Sequence, residues 1–76
     1  MNEPTTTTPD PVRDAYLAWC DAEDAQAAAW DAYRQQPICT PEHDAAFAVW
    51  WQAGEQLHAA RLTYWRLEQA AKAARP

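Results

Sequence analysis

Few side chains in this sequence are able to do chemistry. Two cysteines and two histidines stand at Cys20, Cys39, His43 and His58, a donor set of the kind zinc takes. Zinc holds four such ligands at about 2.0–2.3 Å, and structural sites draw them from closely spaced pairs. Here Cys39 and His43 are near neighbours, while Cys20 and His58 lie far along the chain on either side. If both flanks are helical, roughly 25 Å of helix axis separates the two pairs, at about 1.5 Å per residue. One ion cannot reach both, so no metal is expected, and nothing else in the sequence calls for a cofactor. The same distance argues against a Cys20–Cys39 disulfide, which needs Cα atoms within about 7 Å. Both thiols are expected free, with Cys20 bordering an apolar seam and Cys39 in a turn.

The carboxylates divide into two groups. Glu23 and Gln26 interrupt an otherwise apolar stretch, and later in the chain His58 and Arg61 supply the charge that a part-buried carboxylate requires. Together Glu23, Gln26, His58 and Arg61 read as a polar core layer that fixes register and oligomeric state, as buried polar residues do in coiled coils. The other group, Asp14, Asp21, Asp24 and Asp31, recurs at helical spacing as a solvated face, or as a surface offered to a basic partner. Catalysis has little to stand on. The chain has no serine, one glycine and no glycine-rich loop, and its Cys and His residues form no nucleophile motif. It is expected not to be an enzyme.

Charge narrows the partners further. The formal net charge is −5, and no basic stripe is present, which argues against nucleic acid. The polar faces are not rich in lysine and arginine, so a membrane-surface helix is not expected. No apolar run approaches the ~20 residues that cross a bilayer. The first ten residues, "MNEPTTTTPD", lack the basic start and apolar core of a signal peptide. They read as a disordered tail, and a cytoplasmic location is expected.

The elements that must position these residues are marked by proline. Asp10-Pro11 and Thr40-Pro41-Glu42 each offer an N-cap followed by proline at the first helical position. Pro37 disfavours helix at Gln36. The expected organisation is a tail at 1–10, a helix at 11–36, a turn at 37–40 and a helix at 41–74. The fold class is all-α: a long antiparallel two-helix hairpin, associating into a four-helix bundle or docking on a partner.

Five tryptophans occur in 76 residues, and two of them, Trp50 and Trp51, are adjacent. Neighbours on a helix point about 100° apart, so one seam cannot hold both rings. Ala46, Trp50, Ala53, Leu57, Ala60, Tyr64, Leu67, Ala71 and Ala74 follow an unbroken 4-3 spacing, the mark of one apolar stripe. Phe47, Trp51, His58, Leu62 and Trp65 make a second set about 100° round. Such an arc is wider than one partner helix covers. In the first helix Val12, Tyr16, Trp19, Trp30 and Tyr33 read as the matching face. With Gln36 opposite Pro41, Trp30 is expected to meet Phe47, Ala27 to meet Trp50, Trp19 to meet His58 and Val12 to meet Trp65, within about a turn.

The sequence thus points to a non-catalytic interaction and assembly module. It would self-associate through Phe47, Trp51, Leu62 and Trp65, its partner being itself as a dimer or another helical protein. The alternative is a small acidic inhibitor, antitoxin-like or a nucleic-acid-mimicking decoy, working through Asp14, Asp21, Asp24 and Asp31.

Overall fold

A computed structural model describes residues 10–75; apart from Asp10, the expected tail lies outside them. The chain is an all-α helical hairpin of α1 (Pro11–Arg34) and α2 (Pro41–Ala74), packed against each other. Both helices start as the proline signals require. The Asp10 carboxylate accepts from the Arg13 N–H at 3.1 Å, and the Thr40 hydroxyl accepts from the His43 N–H at 3.1 Å. Each cap satisfies an amide that the first turn leaves without a helical partner. The Thr40 hydroxyl also donates to the Pro37 carbonyl at 2.7 Å, which ties the connection to the start of α2.

α1 ends two residues earlier than the sequence reading placed it, at Arg34. The last carbonyls are taken up by tightened bonds, Gln35 N–H to Ala32 O at 3.3 Å and Gln36 N–H to Tyr33 O at 3.2 Å. The steric bar before Pro37 therefore acts one turn upstream of the proline. The reversal itself falls at Cys39, whose φ of 66° is left-handed, followed by extended Thr40. No glycine is present there to take that conformation without strain.

The seam of α1 is Val12, Ala15, Trp19, Ala22, Gln26, Ala29 and Tyr33, a strict 3-4 repeat in which alanine alternates with a larger residue. Its counterpart in α2 runs through the expected stripe from Ala46 to Ala71, preceded by His43. Alanine at every second seam position lets the two backbones approach, while the rings between them fill the space. Trp19 lies 5.3 Å from Tyr64, and Trp30 lies 5.3 Å from Trp50. These pairs sit six and three positions further along α2 than the expected partners His58 and Phe47, and the reversal centres on Cys39–Thr40 rather than midway between Gln36 and Pro41. At mid-length Gly54 lies against Gln26: a β-carbon there would sit 3.0 Å from the glutamine's amide nitrogen.

The core is thin. Only Ala15, Ala29 and Leu57 are buried among the described residues, and no large side chain is wholly enclosed. Two helices side by side can shield only the line between them.

Candidate interaction face

The hairpin has two broad sides, and heptad position decides what each displays. Residues just past the seam on one flank are Tyr16, Glu23 and Trp30 from α1, with Phe47, Gly54, Arg61 and Glu68 from α2. In an antiparallel pair these flanks face one another, and Glu23 and Arg61 accordingly meet at 3.8 Å. The other flank carries Ala18, Ala25 and Ala32 beside Val49, Gln56 and Thr63. Large rings therefore collect on one side, while the other carries alanines, Gln56, Thr63 and an exposed Val49.

On the ring-bearing side, Trp51 is 57% exposed, Trp65 58%, Phe47 42% and Leu62 37%. Tyr16 and Trp30 add exposed rings on α1, each a little under half open to solvent. Trp50 answers to a different surface. It packs 5.3 Å from Trp30 and stacks nearly parallel on Tyr33 at 6.1 Å, inside the hairpin. Trp51 makes one aromatic contact, with Phe47 at 6.2 Å. The adjacent tryptophans thus belong to two surfaces, as their angular separation requires.

A groove of about 500 Å³ opens at mid-length between Trp51 and His58, floored by Gly54 and Gln26 and bounded by Glu55. Of the four polar residues read from the sequence as a core layer, Gln26 and His58 line this groove, while Glu23 and Arg61 line a neighbouring one with Gln26; none is enclosed. No polar side chain is buried among the described residues; Gln26 is half-buried, and Glu23, His58 and Arg61 are exposed. A hairpin supplies only one wall to this layer, so the charges remain in water. The Arg61 guanidinium also lies 5.9 Å over the Trp19 ring. Beneath it, the Trp19 indole N–H is shielded from solvent and has no hydrogen-bond partner in the hairpin.

Two tyrosines frame the end of the face away from the turn. The Tyr64 hydroxyl donates to Glu68 at 3.1 Å, and this bond to a carboxylate, with lesser desolvation, raises its pKa above the ordinary value. Tyr16 packs 5.9 Å from Tyr64. Its pKa is also raised, first through its hydrogen bond with Cys20.

Tyr16 and Trp30 are the face members that the sequence reading put elsewhere, on the seam of α1. The strict repeat through Ala15, Ala22 and Ala29 was the available signal; reading those alanines as seam moves both rings one position off it. The acidic residues Asp14, Asp21, Asp24 and Asp31 are all exposed, and Asp31 is bridged by Arg34 at 3.0 Å. Cys20 and Cys39 are both free, Cys39 being exposed. No three His, Cys, Asp or Glu residues come together as metal donors among the described residues. Nor is any helix among them long and apolar enough to cross a membrane. The chain matches no protein-family model, no curated protein and no solved structure.

Proposed function

We propose that this chain is a non-catalytic assembly module that self-associates through the aromatic face of α2, forming a dimeric four-helix bundle. The observation that carries this reading is the exposure of Trp30, Phe47 and Trp51 toward the turn end of the hairpin and of Tyr16, Leu62 and Trp65 toward the other end. Each of these six side chains leaves roughly half of about 200 Å² in water, or roughly 600 Å² together. Summed over the two clusters, that approaches the ~800 Å² each partner contributes to a standard interface. The thin core supports the same reading, because a hairpin of this size gains little from burial until a second layer covers it. Two hairpins stacked through this face give each polar residue of the central layer the second wall it lacks.

The acidic face supports the inhibitor reading less well. Its four aspartates are spread over 17 positions of α1 from Asp14 to Asp31, about 26 Å at the helical rise, and one is already bridged by Arg34. Sedimentation of the pure protein tests the proposal. A dimer is expected at micromolar concentration, and a chain that stays monomeric at high micromolar concentration would overturn it.

A further inference from the structure

Resting on that reading, we propose how the second copy lies: antiparallel, α2 upon α2, about a two-fold axis that crosses the ring-bearing face at the level of Gln56. Along α2 the exposed face reads Phe47, Trp51, Gly54, His58, Leu62, Trp65. Its bulky residues are at the two ends and its glycine and groove are near the middle. Laid antiparallel about Gln56, Phe47 comes opposite the partner's Trp65, and Trp51 opposite the partner's Leu62. Gly54 then receives the partner's His58, so the partner's imidazole enters over the floor of the groove, and the groove of one copy is completed by a side chain of the other. An in-register parallel pairing does the reverse. It sets Trp51 on Trp51 and Gly54 on Gly54, crowding one level and leaving a void at the next.

Charge selects the same orientation. From Pro41 to Gln56, α2 carries Glu42, Asp44 and Glu55 with no lysine or arginine; from Leu57 onward it carries Arg61, Arg66 and Lys72 against Glu68, with Arg75 just past its end. Antiparallel pairing places the acidic half of each copy along the basic half of the other, twice over by symmetry, and opposes the helix dipoles. Parallel pairing places like on like. These charges are exposed, so they choose the orientation more than they supply affinity.

Cysteine trapping tests the arrangement in the full-length chain with both native thiols removed (Cys20→Ala, Cys39→Ala). Glu55→Cys lies one position from the axis, so two copies meet about 3 Å apart along it and form an intersubunit disulfide on mild oxidation. Ala48→Cys lies eight positions from the axis, which separates two copies by about 24 Å and prevents one. Both positions are exposed on the same flank of α2, and sedimentation of each reduced variant reports whether the dimer is intact. A dimer linked through position 55 and not through 48 is the expected result. Linkage at both positions means parallel helices, and a sedimenting dimer linked at neither means another face; either overturns the antiparallel arrangement while self-association itself stands. Monomeric reduced variants, with a monomeric parent, overturn the self-association reading as well.

Discussion

Trp50 and Trp51 allow the sharpest test, because replacing neighbours should break different things. Trp51 is 57% exposed and touches the hairpin's other rings only through Phe47. Of about 250 Å² of side chain, some 140 Å² is therefore free to be covered by a partner, worth about 3.5 kcal/mol per copy at ~25 cal/mol/Å². Two copies give an upper bound of about 7 kcal/mol. Interface area converts to affinity poorly, so a loss of at least about 2.7 kcal/mol, a hundredfold in the dissociation constant, is expected for Trp51→Ala. Trp50 is half-buried between Trp30 and Tyr33. Trp50→Ala should remove about 3 kcal/mol from the hairpin itself, at the low end for a ring-to-alanine change because the site is not sealed. Thermal melts followed by circular dichroism at two protein concentrations separate the cases. A dimer melts higher when concentrated, by mass action. Trp51→Ala should retain its helix and lose that concentration dependence, whereas Trp50→Ala should lose helix at both concentrations. If Trp51→Ala keeps a concentration-dependent melt, the ring is not in the interface. If it loses helix as Trp50→Ala does, the division into two surfaces is wrong.

Gly54→Ala should act with opposite signs on fold and assembly. A helix-interior alanine gains about 0.5–1 kcal/mol over glycine, and the atom it meets is the movable end of Gln26; the hairpin should melt no lower, while dimer affinity falls as the partner's His58 loses its seat. Thr40→Ala removes both the cap to His43 and the bond to Pro37 and should cost about 1–2 kcal/mol in chemical denaturation, with Thr40→Ser recovering most of it. A maleimide should modify exposed Cys39 well before half-buried Cys20 in native protein, and equal rates would place Cys20 outside the seam border. Tyr64 should ionise above its ordinary range in absorbance titration. Its raised pKa means the folded state favours the neutral phenol, so that stabilisation is complete below about pH 10 and is lost as pH rises through the folded value. Glu68→Gln should bring the titration back down.

The two helices and their starts were legible in the sequence because they are set by local chemistry. Asp10-Pro11 and Thr40-Pro41 specify an N-terminus through a side-chain acceptor and a fixed φ, and neither needs anything distant. The stripe of α2 was legible for the same reason, as was the split of Trp50 from Trp51: 100° per residue is a property of the helix alone. What the sequence left open was where α1 lies against α2. Alanine and ring periodicities are repeats, and a repeat permits several registers a turn apart. The left-handed Cys39 selects one of them, through the backbone geometry of the turn. Tyr16 and Trp30 stand on the open face for a different reason: the alanine line of α1, not its rings, meets α2. Glu23, His58 and Arg61 stand at the surface because whether a polar layer is enclosed depends on how many walls surround it, and the hairpin builds only one.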